Sequence, residues 1–233
     1  MNVGLYRTAS AMVASQRQLE VLSTNLANLG TSGYKRGAMA AHEFQIVRGG
    51  RKLTGIQTSG SVDFSQGELA RTGRDLDFAL FGAGFFGVEA PQGEVYTRDG
   101  SFHLTSEGVL VTGEGYPVAL AEKSGSIDPT GLPLVVDGEG SLRQGERSVG
   151  RLRLADFATP QSLTQDGHGF WVAPDGLREI APTGVVHQYA LEEANTSGVD
   201  ELVAMVSVQR GYELAADALR AIDDSYQRLT RPT

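Results

Sequence analysis

The chain has 233 residues, 40% of them hydrophobic and 21% charged, with a net charge of −8. That composition belongs to a globular protein able to bury a core as one large domain or two ordinary ones. The scattered negative charge excludes a general nucleic-acid binder, and the absence of cysteine excludes disulfides, thiolate metal sites and thiol nucleophiles together.

The first residues, "MNVGLYRTASAMVASQRQ", lack the apolar h-region of a secretory signal. The longest uncharged apolar run, "FALFGAGFFGV", is too short to span a bilayer. The expectation is a cytoplasmic protein, or one that leaves the cell by a route that reads no cleaved signal. All but two of the 30 glycines (Gly4 and Gly211) lie between Gly30 and Gly198, and no proline precedes Pro91 or falls between Pro182 and Pro232. Both ends are thus free to be helical, and the middle is turn-rich.

The spacing predicts a first helix over Val3 to Leu29. Leu5, Met12, Leu19 and Leu26 are seven apart, and Ser15, Leu22 and Leu29 fill the partner row of an a/d seam. Gly30 stands where a C-cap glycine belongs. Through the middle, "DLDFALF" reads as a buried strand. "GFFGVEA" and "EVYTR" flank the turn "PQG", "SFHLT" and "VLVT" flank "SEG", and "GRLRLADF" alternates as a single strand. These are hairpins of a small antiparallel sandwich or open barrel. The last segment carries the stronger seam, with Met205, Tyr212, Leu219 and Tyr226 in one row and Val208, Ala215, Ile222 and Leu229 in the other. Ser197 and Asp200 fit a capping box. Asp200 and Glu201 suit the positive helix start, and Arg228 and Arg231 its negative end. Gly211 costs the helix about 1 kcal/mol against alanine. The fold class is therefore α+β, with the two terminal helices pairing as a coiled coil around a central all-β domain. The expected divisions are 1–30 (N-terminal helix), 31–74 (connecting segment), 75–190 (β domain) and 191–233 (C-terminal helix with its leading turn).

Chemistry is hard to find. "GAGFFG", Gly82 to Gly87, matches G-x-G-x-x-G, but strand and turn follow where a dinucleotide loop needs a helix. His42, His103, His168 and His187 lack metal-ligand spacing. Asp75 and Asp77 read as strand-end caps beside Arg74 rather than as paired catalytic carboxylates, and Asp137-Gly-Glu-Gly as a hairpin turn rather than a calcium loop. Lys35 and Arg36, with Tyr34, are too few for a nucleic-acid platform. No catalytic, cofactor or metal site is expected. Two paired helices would still leave Leu202, Val203 and Val206 beside the seam partly exposed, as on a protein–protein surface.

Three stretches carry a family resemblance. "LSTNLANLGTSGYKR" resembles the N-terminal signature of flagellar rod and hook proteins, S-x-N-L-A-N-x-x-T-x-G-Y/F-K/R. "VYTRDGSFHLTSEGVLVTGEGYPV" resembles their body motif, and "LEEANTSGVDELVAMVSVQRGYELAADALRAIDDSYQRL" their C-terminal helix. The chain departs from the pattern at Gly211, where Q-R-A-Y-E has alanine, and at "EEAN", where "EGSN" is common. The short stretch between signature and β body is most similar to proximal-rod members, with distal-rod members next. The resemblance implies a structural, non-enzymatic subunit of the basal-body rod. Such a subunit would be exported unfolded through the flagellum-specific type III apparatus without a cleaved signal peptide. In the periplasmic part of the axis it would polymerise helically with copies of itself and sibling proteins, without binding nucleic acid or inserting in a membrane. The expected assembly interface is Leu5, Met12, Leu19, Leu22, Asn25, Leu26, Asn28, Leu202, Met205, Val208, Tyr212, Leu219, Ile222, Tyr226 and Leu229. The readings from other classes are a nucleotide-binding enzyme using Gly82 to Gly87, and a surface adhesin or cell-wall-binding β module on helical stalks.

Overall fold

Freedom from proline lets the first segment coil into one helix, α1 (Val3–Ala27), in the computed structural model, which describes residues 3–48, 51–166 and 169–230. The helix stops two residues before the expected Leu29. Asn28 closes it: its N–H donates to the carbonyls of Thr24 and Asn25 at 3.2 Å, and its Nδ2 donates to the Thr24 carbonyl at 2.8 Å. These bonds take up carbonyls that a helix end otherwise leaves open. The left-handed glycine that follows is Gly33 (φ 68°), not Gly30. A Cβ at Gly33 would lie 2.4 Å from the backbone of Arg98 and Asp99, so the site admits only glycine.

The chain divides into two units. The first draws on residues 1–29, 36–63 and 196–233. It holds α1, the strands β1 (Gly37–Arg48) and β2 (Arg51–Val62), and the helix α2 (Gly198–Thr230). The stretch expected as a connecting segment thus carries a long antiparallel hairpin, in register from Gly37 opposite Val62 to Arg48 opposite Arg51. Its strands lack clean alternation, so period-2 reading misses them. A lone two-stranded ribbon is marginal in water, and α1 supplies the missing packing, running against β2 and against α2. Ser10 Oγ accepts from the Ile56 N–H at 3.1 Å, and Arg17 donates to Thr58 at 3.3 Å. Gly55 is required here, because a Cβ would fall 2.8 Å from the rings of Tyr6 and Phe44.

The second unit draws on residues 30–35 and 64–195 and is the β body. One six-stranded antiparallel sheet runs, in spatial order, Thr164–Gln165, Trp171–Val172, Gly93–Thr97, Phe85–Ala90, Leu154–Phe157, Glu179–Ile180. A four-stranded sheet runs Leu134–Val136, Ser141–Gln144, Arg147–Leu152, Leu120–Lys123. Short two-stranded pairs complete the body: Phe78–Phe81 with Val185–Gln188, Leu69–Arg71 with Ala190–Glu192, and His103–Leu104 with Leu110–Val111. "GRLRLADF" is two strands rather than one. Leu152 pairs in the smaller sheet and Leu154 in the larger, while Arg153 bonds Ala119 and Gly87 between them. Alternation survives the change of sheet, which is why the pattern conceals it. Phe78, Leu80, Phe86, Leu142 and Leu152 lie fully buried in the main core, with Phe102 edge-on to both Phe78 and Phe86.

Candidate assembly surface

Within the helical unit a polar joint fastens the two helices to the base of the hairpin. Asn25, fully buried near the end of α1, pairs with the outward backbone of Gly37 as a strand would. Its Nδ2 donates to the Gly37 carbonyl and its Oδ1 accepts from the Gly37 N–H, both at 2.9 Å. Asn25 Nδ2 also donates to Glu201 at 3.2 Å. Glu201, in the first turn of α2 and fully buried, accepts in addition from Arg36 Nε and from Thr196 Oγ1 at 3.1 Å. The expected cap is weak by comparison, with Ser197 Oγ 3.5 Å from the Asp200 N–H. Glu201 favours the positive helix start, but it is held in place by residues from across the chain.

The other half of the unit is unfinished. At about 100° per residue, Glu201, Met205, Val208, Ala215, Leu219 and Ile222 share one face of α2, and all are buried or half-buried. Roughly opposite lie Val199, Leu202, Val203, Val206 and Leu214, which are 48 to 72% exposed. A helix apolar on two faces needs two partners, and among the described residues only one face is covered. On α1, Leu5 and Val13 are likewise exposed.

The expected interface residues therefore separate. Leu22 and Asn25 are buried within the chain, and Met12, Leu19, Leu26, Asn28, Met205, Val208, Leu219 and Ile222 are half-buried. Leu5, Leu202, Tyr212 and Tyr226 are exposed. The side chain of Leu229 lies outside the described residues. Sequence reasoning passed over Val199, Val13 and Leu214, which sit off the heptad rows.

The β body holds a second ionic cluster that the sequence reading missed. Lys35 and Arg36, adjacent in sequence, go to different acids in different units. Lys35 Nζ meets Glu192 at 2.6 Å, and Arg98 meets the other Glu192 oxygen at 3.1 Å. The Gly67 N–H donates to Glu192 at 2.9 Å. All three charged groups are buried. Burial lowers the Arg98 pKa in spite of the opposing pull of Glu192. The Arg98 guanidinium lies over the Phe85 ring, 5.3 Å from its centre.

The chemical alternatives find no support in the geometry. Gly84 leads into the strand Phe85–Ala90, with both phenylalanines buried where a dinucleotide loop needs open backbone. Among the described residues no group of three His, Asp or Glu could hold a metal; His168 lies outside them. Asp77 is buried and meets Arg74 at 2.8 Å while Asp75 is exposed, so the two do not act as a carboxylate pair. Asp137 accepts from the N–H groups of Glu139 and Ser141 at 3.0 and 2.8 Å, as a hairpin turn requires. No described helix is long and apolar enough to cross a membrane.

Comparison with known proteins agrees with this arrangement. Residues 5–35 match the model of the flagella basal body rod protein, 79–144 the flagellar hook protein FlgE/F/G D1 domain, and 187–231 the flagellar basal body rod FlgEFG protein C-terminal. The flagellar basal-body rod protein FlgF of Caulobacter vibrioides is 33% identical, over 93% of this chain and 91% of its own. FlgG of Buchnera aphidicola subsp. Schizaphis graminum is 30% identical over 97% and 98%, and FlgG of Bacillus subtilis 29% over 97% of each. With signature, β body and terminal helix all matched in order, the chain belongs to the flagellar basal-body rod protein family.

Proposed function

We propose that the chain is a structural subunit of the bacterial flagellar basal-body rod, built into the axis through its terminal helices. The two-faced α2 carries this reading. Its inner face packs within the subunit, and its outer face, Val199 to Leu214, is completed by neighbours in a coiled-coil layer. Fully burying one Val or Leu is worth about 1.5–3 kcal/mol. Five partly exposed ones offer on the order of 5 kcal/mol gross, much of it offset by lost side-chain freedom and by association entropy. One such contact is weak, so order comes from several neighbours at once, as in a helical polymer. The partners are copies of itself and sibling rod proteins, the place is the periplasmic part of the axis, and export is by the flagellar type III apparatus without a cleaved signal. The chain binds no nucleic acid, does not insert in the membrane and catalyses nothing. Asn25 acts inside the subunit, setting the angle at which the helices leave the hairpin, and proximal-rod placement fits its short connecting segment.

The test is a strain whose own copy is replaced by the Val203→Asp variant. Circular dichroism should show unchanged helix content in the purified variant. Electron microscopy of its basal bodies should show an axis that stops short. A full-length axis with normal motility would overturn the proposal.

A further inference from the structure

The sequence contains four Asp-Gly steps, at Asp99, Asp137, Asp166 and Asp175. An aspartate followed by glycine can close on itself. The glycine nitrogen attacks the side-chain carboxyl carbon, and no Cβ on the glycine stands in the way. Three of the four carboxylates are held back from that reaction. Asp99 accepts from the Ser101 N–H at 3.0 Å, and the Gly100 carbonyl beside it accepts from the Phe78 N–H at 3.0 Å. Asp137 accepts from the N–H groups of Glu139 and Ser141. Asp166 accepts from the Phe170 N–H at 2.9 Å and from Gln92 at 3.4 Å. Asp175 is different. Among the described residues its side chain makes no hydrogen bond or ion pair, and both Asp175 and Gly176 are exposed. They are the central residues of a turn closed by the Leu177 N–H on the Pro174 carbonyl at 3.1 Å, with Gly176 at φ 83° as a type II turn requires. The Gly176 N–H is left out of that closing bond, and nothing lies within 4 Å of a Cβ placed on Gly176. The attacking nitrogen and its target carbon are therefore neighbours in open space.

We propose that Asp175 is a modification site, which isomerises through a cyclic imide to isoaspartate and then serves as substrate for an S-adenosylmethionine-dependent carboxyl methyltransferase. In the first step the Gly176 nitrogen gives up its proton and bonds to Asp175 Cγ, and a carboxyl oxygen leaves as water. Water then adds to the main-chain carbonyl carbon of Asp175 and breaks its bond to nitrogen. The backbone now runs through the former side chain, and the former main-chain carbonyl is a free carboxylate. Water lost is water regained, and no oxidant or reductant takes part. The methyltransferase moves a methyl group from the sulfonium of its cofactor to that carboxylate, releasing S-adenosylhomocysteine. Renewed ring closure expels methanol, and water opening the imide on its Cγ side restores aspartate. The isoaspartyl form puts an extra main-chain carbon in the turn that leads to the edge strand Glu179–Ile180. At the other three steps the carboxylate must first release its donors, and losing one such bond slows the attack about tenfold. The site does not depend on whether the chain joins a rod.

The experiment incubates the purified full chain for several weeks at physiological temperature and neutral pH, folded and in urea. Isoaspartate is then read by peptide mapping and by transfer of labelled methyl from S-adenosylmethionine with a purified isoaspartyl methyltransferase. In the folded chain, isoaspartate and label should appear at Asp175, about tenfold above each of the other three Asp-Gly steps. In urea the four steps should approach one another, because the hydrogen bonds that hold three of them are gone. Asp175→Glu keeps the charge but moves the carboxyl one carbon further from the attacking nitrogen. It should abolish the label while leaving the unfolding temperature unchanged. A folded chain with no isoaspartate at Asp175, or with equal amounts at all four steps, overturns the inference. Isoaspartate at Asp175 that the methyltransferase leaves unlabelled overturns its second half.

Discussion

Among the described residues two glutamates, Glu192 and Glu201, are fully buried, and the same substitution should affect them very differently. Glu192 neutralises Lys35 and Arg98, whose side chains are only 1 and 5% exposed. Glu192→Gln keeps size and shape but takes away the carboxylate that two buried cations share. Breaking a buried ion pair by removing one partner costs about 3–5 kcal/mol, a large part of the roughly 5–15 kcal/mol that holds a domain together. Glu201→Gln removes the same charge, but its cation Arg36 is 35% exposed and can turn to water. Solvent screening reduces that loss, so the cost should be about 1–2 kcal/mol. The difference of roughly 2 kcal/mol is more than tenfold in the unfolding equilibrium. Urea titration separates the two sites. Trp171, the chain's one tryptophan, is buried in the β body and reports Glu192. Helix ellipticity reports Glu201. A cost below about 1 kcal/mol for Glu192→Gln, or equal costs at the two sites, would refute the account of two cations on one carboxylate. The apolar triple variant Lys35→Met, Glu192→Leu, Arg98→Met should recover most of the loss.

Gly211→Ala should stabilise α2 by about 1 kcal/mol, since nothing lies within 4 Å of the added Cβ; a thermal melt followed at 222 nm would show a raised midpoint, and a lowered one would contradict it. Val206→Asp should leave urea unfolding of the isolated chain within about 0.5 kcal/mol of wild type while preventing its entry into basal bodies, read by immunoblot. Burial raises the pKa of Asp99, so its charge is a cost once the pH exceeds the carboxylate range. Asp99→Asn should therefore stabilise the body at pH 7 and lose that advantage below about pH 4. The Asp137 pKa is lowered, chiefly by the Ser141 N–H, so its contribution is present at neutral pH and fades as acid protonates it. Asp137→Asn should be destabilising at pH 7, and its gap to wild type should close in acid. The same sign of pH dependence for both variants would contradict these assignments.

The heptad rows made both helices legible, because seven-residue spacing is a local signal that survives any choice of partner. The β1–β2 hairpin was not legible. "GAMAAHEFQIVR" has no alternation, and its stability comes from α1 lying along it, a contact that no window of sequence contains. Glu201 shows the same limit. Its place near a helix start suggested an interaction with the helix dipole, while its real partners are Asn25 and Arg36, 176 and 165 residues away. Lys35 and Arg36 read as one basic pair because adjacency is visible and the divergence of their side chains is not. Tyr189 left no trace at all, since a left-handed backbone at a tyrosine contradicts residue preference.

The chain passes from one unit to the other four times, after residues 29, 35, 63 and 195. Neither unit is a continuous piece, so truncation cannot isolate the helical unit intact. Asn25 emerges early in synthesis and Glu201 close to the end, and the joint between them cannot close until nearly the whole polypeptide is free. A chain cut short of Glu201 has no finished joint, so under the proposed function completeness of the chain is itself a condition for joining.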